Sequence, residues 1–83
     1  MDFYQWFFDT LERQLEAFNV PSWVSRAMVS ALEAAFPREA VASFELELKK
    51  KVADELKQLV TANPSSLLTA EIVAEAGKLL GLP

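Results

Sequence analysis

Four prolines divide this chain into segments of roughly helix length. They stand at positions 21, 37, 64 and 83, and glycine occurs only at 77 and 81. Proline lacks the backbone N–H that a helix interior needs, and it disfavours helical geometry in the residue before it. Each segment is therefore expected to form an element of its own, joined to the next by a short connection.

The spacing of apolar residues predicts that these elements are helices. In the first segment Tyr4, Phe7, Phe8, Leu11 and Leu15 recur every three or four residues, as one face of a helix does. Residues 44–49, Phe-Glu-Leu-Glu-Leu-Lys, alternate as a half-buried strand would, but Glu, Leu and Lys favour helix. We predict an all-α, compact four-helix domain over residues 1–83, with helices at about 3–18, 22–36, 37–62 and 65–80. The third is the longest and is expected to form the spine, with the N-terminal segment packed across it.

Several residues have the chemistry of helix ends. Asp and Asn cap N-termini, Asn and Gly accept the left-handed conformation that follows a helix, and Pro suits a first turn. The residues expected in these roles are Asp2, Asn19, Pro21, Pro37, Asn63, Pro64 and Gly81. Thr69 is a second possible cap within the fourth segment.

Aromatic residues are concentrated at the N-terminus. Five of the nine lie in the first eight residues, and 52% of the chain is hydrophobic. A domain this small has little interior, so this content predicts either a dense core or apolar surface shared with another chain. Tryptophan, tyrosine and phenylalanine are enriched in protein interfaces. The candidate interaction residues are Phe3, Tyr4, Trp6, Phe7 and Trp23, and the competing interpretation is that the N-terminal aromatics form core.

The charge argues against two classes of partner. The net charge is −4, whereas nucleic acids and anionic membranes select positive charge. No stretch has the length and apolarity of a membrane span. The basic residues Lys49, Lys50, Lys51 and Lys57 are the candidate contacts of an alternative function, an accessory or regulatory nucleic-acid-binding protein. Three consecutive lysines fan around a helix, so a solvated face is the competing interpretation.

The C-terminal segment carries a family resemblance. Residues 68–83, Leu-Thr-Ala-Glu-Ile-Val through Leu-Leu-Gly-Leu-Pro, resemble the first helix and turn of a helix-turn-helix domain. In that family the recognition helix follows the turn. That helix would lie beyond residue 83, so the resemblance implies DNA binding only if the chain is a fragment of a longer protein.

The sequence predicts neither catalysis nor a cofactor. It contains no cysteine and no histidine, which removes the thiol nucleophile, the commonest general base and the commonest metal ligand. Glu71 and Glu75 share a helix face, but a solvated face explains them better than a metal site. The lack of cysteine fits a cytoplasmic protein. We therefore predict a non-catalytic interaction module that forms a homodimer or acts as an adaptor or inhibitor of a larger protein.

Overall fold

The all-α prediction is confirmed. The computed structural model describes residues 2–41, 45–63 and 65–82. Within these ranges the chain forms no strand, and its helices are α1 (Phe3–Ala17), α2 (Ser22–Ala35), α3 (Arg38–Val41), α4 (Glu45–Ala62) and α5 (Ala70–Leu79). The single turn α3 and the longest helix α4 occupy the span predicted for the third helix. Residues 42–44, including Phe44 of the alternating stretch, lie outside the described residues, and that stretch is helical from Glu45 onward.

Helix α1 begins and ends at the residues that the sequence predicts. The Asp2 carboxylate accepts a hydrogen bond from the Gln5 N–H at 2.9 Å, which caps the first turn. At the other end Asn19 adopts the left-handed conformation, with φ of 68°. The Val20 N–H then donates to the Leu15 carbonyl at 3.1 Å. The chain therefore reverses within a few residues and leads directly into α2.

Polar contacts hold the start of α1 against the end of α2. The Tyr4 hydroxyl donates to the Phe36 carbonyl at 2.7 Å. The Arg38 guanidinium lies 4.8 Å from the centre of the Tyr4 ring, pairs with the Asp2 carboxylate, and donates to Gln5 Oε1 at 3.3 Å. Because Arg38 and Phe36 follow α2 directly, these contacts make α1 and α2 antiparallel neighbours.

The core is centred on the inner face of α1. The Phe7 and Phe8 rings meet edge to face at 5.3 Å, and the Tyr4 and Phe8 rings are 4.9 Å apart. Such tilted aromatic pairs contribute beyond the area that they bury. The large apolar side chains that are fully buried are Phe7, Phe8, Leu11, Leu15, Leu32, Leu48, Val52 and Leu56.

The packing order differs from the sequence prediction. Helix α1 packs mainly against α2 and α5, and α4 packs mainly against α5 and α2. Helices α1 and α4 are therefore diagonal in the bundle, and the N-terminal segment does not lie across a central third helix. The distance between packed helices depends on the side chains between them. The buried aromatic rings of α1 lie at the centre of the bundle, and the backbone of α1 approaches α4 less closely than it approaches α2 and α5.

The last helix begins later than predicted. It starts at Ala70, and the Thr69 hydroxyl accepts a hydrogen bond from the Ile72 N–H at 3.3 Å. Asn63 is not its cap, because the Asn63 side-chain amide donates to the Leu59 carbonyl at 3.0 Å and so closes α4. Pro64, predicted as the first residue of this helix, lies outside the described residues.

A local turn explains why residues 65–69 are not helical. The Ser65 hydroxyl accepts a hydrogen bond from the Leu67 N–H at 3.0 Å. Such serine turns compete with helix formation because they satisfy a backbone donor locally. The turn also leads the chain to Leu68, whose side chain is buried in the core.

The end of α5 folds back on itself. Gly81 has a φ of 76°, as expected of a glycine after a helix, and the Leu82 N–H donates to the Gly77 carbonyl at 2.9 Å. The Leu82 side chain then covers Gly77 so closely that a Cβ at position 77 would lie 3.1 Å from Leu82 Cδ1. Gly77 therefore allows Leu82 to lie against α5.

Candidate interaction surfaces

The structure divides the five predicted interaction residues by burial. Tyr4 and Phe7 are buried, Phe3 is half-buried, and Trp6 and Trp23 are 43% and 70% exposed. Burial raises the pKa of the Tyr4 phenol. Tyr4 and Phe7 lie on the inner face of α1, so both rings are part of the chain's own core and are not accessible on its surface. The prediction of contact with another protein stays with Phe3, Trp6 and Trp23.

The two tryptophans do not form one surface. Trp6 lies near the start of α1, against Phe3 with ring centres 6.0 Å apart. Trp23 lies at the start of α2, beside the end of α1. Eleven residues of helix separate position 6 from Ala17, which is about 16 Å at the usual helical rise. Each tryptophan therefore belongs to a surface of its own.

Helix α2 presents an apolar outer face. Trp23, Ala27, Ser30 and Ala34 follow one another at intervals of four, three and four residues, and all four are exposed. We call these four residues the α2 outer stripe. The solvent side of a surface helix normally carries charge, but this stripe has none.

The stripe could not be identified from the sequence, because the apolar residues of α2 cover too wide an arc of the helix surface. Their spacing predicts one apolar face that includes both Ala27 and Leu32. In the structure Val29 and Leu32 are buried, whereas Ala27 and the neighbouring Ala31 are exposed. The excess width of the apolar arc was the only signal in the sequence. It did not reveal which part of the arc faces outward.

Ser25 lies on the inner side of α2, although serine is a polar residue that favours the solvent side of a helix. Its side chain is fully buried, and its hydroxyl has no hydrogen-bond partner among the described residues. A buried hydroxyl without a partner is destabilising. Burial of Ser25 instead of Ala27 shows that the neighbouring helices fix the rotation of α2.

Two opposite charges flank the α2 outer stripe on the same side. Arg26 and Glu33 are seven residues apart, so they differ by only about 20° around the helix. The Arg26 side chain is 78% exposed, and its Nε is 3.9 Å from Glu12 Oε1. That contact is long and solvated, and such pairs contribute little. Both Arg26 and Glu33 are therefore accessible from outside the bundle.

A second surface is a groove between α4 and α5. It has a volume of about 540 Å³, and its walls include the apolar side chains of Leu56, Val60, Val73 and Leu82. Lys57 and Lys78 also line it, and both are exposed. We call this feature the α4–α5 groove. An apolar concavity with a few charged groups at its edge is typical of ligand sites.

The four lysines proposed for nucleic-acid contact are spread around α4. Lys49 is half-buried, and its Nζ would lie 3.5 Å from a Cβ built at Gly81, so it faces the end of α5. Lys50 and Lys57 are seven residues apart and share an exposed face. Lys51 points about 100° away from Lys50. The four side chains therefore do not combine into one basic patch.

Two further features bear on function. Among residues 2–41, 45–63 and 65–82, no three acidic side chains gather closely enough to hold a metal ion. Glu71 and Glu75 are both exposed. In the same ranges, no helix combines the length and apolarity needed to cross a membrane.

Comparison with known proteins gives no relative from which a function could be inferred. No protein-family model, no curated protein and no solved structure matches this chain. What the protein binds must therefore be inferred from its own surfaces.

Proposed function

We propose that the protein is a small interaction module that self-associates through the α2 outer stripe. The observation that carries the proposal is Trp23, which is 70% exposed at one end of an uncharged helix face. A large aromatic ring left in water is a typical interface anchor. The alanines beside it would allow a second helix to approach closely.

An antiparallel pair of α2 helices suits this face best. In that arrangement Trp23 of one copy lies opposite Ala34 of the other, and Ala27 lies opposite Ser30. The largest side chain of the stripe therefore packs against one of the smallest, and the two-fold axis of the dimer creates this contact twice. Closed two-fold dimers are the commonest soluble oligomers, and each surface in them must be complementary to itself.

The flanking charges support the antiparallel orientation. Arg26 and Glu33 lie on the same side of the stripe, one heptad apart. In an antiparallel pair, residues on this flank of one helix face the same flank of the other. Arg26 of each copy then meets Glu33 of the other, which forms two ion pairs. A parallel pair would not bring these unlike charges together.

The dimer is expected to be weak. A single 14-residue helix from each copy offers less than the roughly 800 Å² per partner of a standard stable interface. We expect a dissociation constant in the micromolar range or above. The surface around Trp6 and Phe3 remains accessible in such a dimer, so the same module could also act as an adaptor or inhibitor of a larger protein.

The proposal assigns no catalysis and a cytoplasmic location. The chain has no histidine and no cysteine, which supports both parts. The nucleic-acid alternative is less favoured because Lys49, Lys50, Lys51 and Lys57 are dispersed around α4.

Self-association is tested by measuring mass across a dilution series, by light scattering or sedimentation. The wild type should change from dimer to monomer as it is diluted. Ala27→Glu places a charge in the middle of the α2 outer stripe and should leave a monomer at every concentration. Ala62→Glu is the matched control, because Ala62 is an exposed alanine at the end of α4 and lies outside the α2 outer stripe. It should dimerise like the wild type.

Two outcomes would reject the proposal. One is a wild type that remains monomeric up to millimolar concentration. The other is an Ala27→Glu variant that dimerises as well as Ala62→Glu. Circular dichroism of both variants should match the wild type, because both positions are exposed.

A further inference from the structure

We propose that the α4–α5 groove binds a free amphipathic anion, an aliphatic chain with a single carboxylate head. Nothing in the self-association of α2 is needed for this inference, because the groove lies on different helices. Three features of the groove support this ligand: its apolar walls, its length, and the two lysines at its edge.

The walls of the groove suit an aliphatic chain. Leu56 and Val73 are buried and form its deep side, while Val60 and Leu82 are half-buried and extend it outward. Ala74, an exposed small residue, leaves the groove open to solvent. A volume of about 540 Å³ falls within the usual range of ligand sites, roughly 300–1,000 Å³.

The length of the groove sets the size of the ligand. Its lining runs from Ala53 to Thr61 on α4 and from Ala70 to Lys78 on α5. Eight residues of helix extend about 12 Å. An extended chain of single bonds advances about 3.5 Å for every three bonds, so 12 Å accommodates a chain of about ten bonds.

The charged residues of the groove select the head group. Among the described residues that line the groove, Lys57 and Lys78 carry the charge, and both are cationic in a protein whose net charge is −4. Lys78 Nζ is 3.1 Å from Glu75 Oε1, but this pair is exposed and such pairs contribute little. A ligand carboxylate could therefore replace Glu75 as the partner of Lys78.

Charge and size together distinguish this occupant from a second protein helix. A helix is about 10 Å in diameter and could insert only its side chains into a groove of this volume. An aliphatic chain can bury its whole length against Leu56 and Val73. Both lysines are exposed cations on the lining of the groove, so an anionic ligand is favoured over an uncharged one.

The probe is decanoate, titrated into the full chain by calorimetry and by 1H–15N correlation spectra. We expect one molecule bound per chain, with the largest shifts at Val60, Val73 and Ala74. The double variant Lys57→Gln, Lys78→Gln should bind about tenfold more weakly, since it removes both attractive charges. Lys50→Gln is the matched control, because Lys50 is exposed on α4 outside the groove. Its affinity should equal that of the wild type.

Two further measurements distinguish the contribution of the ligand's aliphatic chain from that of its carboxylate head. Decanol carries the same chain without charge and should bind about tenfold more weakly than decanoate. Ala74→Phe fills the groove at an exposed position and should abolish binding. Urea midpoints of all variants should match the wild type, which excludes unfolding as the cause.

Several outcomes would overturn the proposal. Decanoate that does not bind, decanol that binds equally well, or lysine variants that behave like Lys50→Gln would each do so. Shifts at the groove on raising the protein concentration alone would mean that a second copy occupies it, and the proposal would fail. The monomeric Ala27→Glu variant should still bind decanoate, so failure of the dimer proposal and failure of this one are distinguishable.

Discussion

Helices α1 and α2 are antiparallel neighbours of similar length, but their outer faces differ. The exposed positions of α1 include Gln5, Arg13 and Glu16, which water solvates well. The exposed positions of α2 include Trp23 and four alanines, at positions 27, 31, 34 and 35. Both helices bury an apolar inner face, so the bundle itself explains the inner faces of both. Outside the bundle, α1 exposes Trp6 among polar residues, whereas α2 exposes a continuous uncharged stripe.

This difference shows where the apolar surplus of the chain lies. For the aromatic N-terminus the sequence leaves open both interface and core, and the structure buries Tyr4, Phe7 and Phe8 most deeply among the described aromatic residues. Trp23 stands alone in the sequence and is the most exposed aromatic residue of the described chain. Clustering of aromatics therefore marks the core here, and an isolated tryptophan marks the candidate interface.

The largest expected effect is the difference in stability loss between substitutions on the inner and on the outer side of α1. Phe7→Ala should lower the free energy of unfolding by about 3–5 kcal/mol, because it leaves a cavity in a fully buried site. Trp6→Ala should cost only about 1 kcal/mol, since the ring is 43% exposed. Urea denaturation measures both. Equal losses would mean that the inner and outer sides of α1 are not distinct.

The next effect concerns the inner side of α2. Ser25→Ala removes a buried hydroxyl without a described partner and improves helix propensity, so it should stabilise the fold by about 1 kcal/mol. Thr10→Ala on α1 is the control. The Thr10 hydroxyl is partly exposed and accepts a long bond of 3.5 Å from Arg13, so its loss should be nearly neutral. Destabilisation by Ser25→Ala would indicate that the hydroxyl has a partner.

A smaller effect tests the orientation of the proposed dimer. Arg26→Glu or Glu33→Arg alone should weaken dimerisation severalfold, because each puts like charges opposite one another. The double reversal Arg26→Glu, Glu33→Arg should restore it. Sedimentation at low salt measures all three. A parallel dimer is indicated if the double variant associates no better than the single ones.

The smallest effect is the pH dependence at the start of α1. The hydrogen bond from the Gln5 N–H, with help from the Arg38 charge, lowers the pKa of Asp2. Its contribution to stability is therefore present above the ordinary aspartate pKa of about 3.9 and is lost as the pH falls through the lower folded value. Asp2→Asn keeps a capping side chain and should flatten the acid limb of stability, measured by urea midpoints from pH 2 to 7. Identical acid limbs in the two proteins would contradict this.

The helices of this protein could largely be predicted from the sequence, because their ends depend on local chemistry. Asp2 caps a helix whatever surrounds it, Asn19 accepts a left-handed turn, and Pro37 stops α2. The prediction was wrong at residues 65–69, where the Ser65 turn competes with the helix and Thr69 becomes the cap. The serine turn at Ser65 and the helix start at Pro64 are both local signals, so the sequence could not show which of them prevails.

The candidate surfaces could be predicted only in part. Trp6 and Trp23 were named from residue type, but so were Tyr4 and Phe7, which are buried. The α4–α5 groove was not foreseen, because Leu56 and Val73 are separated in sequence and meet only when α4 and α5 pack.

By itself, then, the sequence determined the number, type and approximate limits of the main helices. Proline geometry, capping and apolar periodicity act over a few residues and need no neighbouring helix. Only the tertiary structure decided that α1 and α4 are diagonal, that Ser25 faces inward, and that Trp23 faces outward. The physical reason is that a helix with a broad apolar arc can rotate about its axis at little cost. Packing against its neighbours selects one rotation, and that rotation decides which residues another molecule can contact.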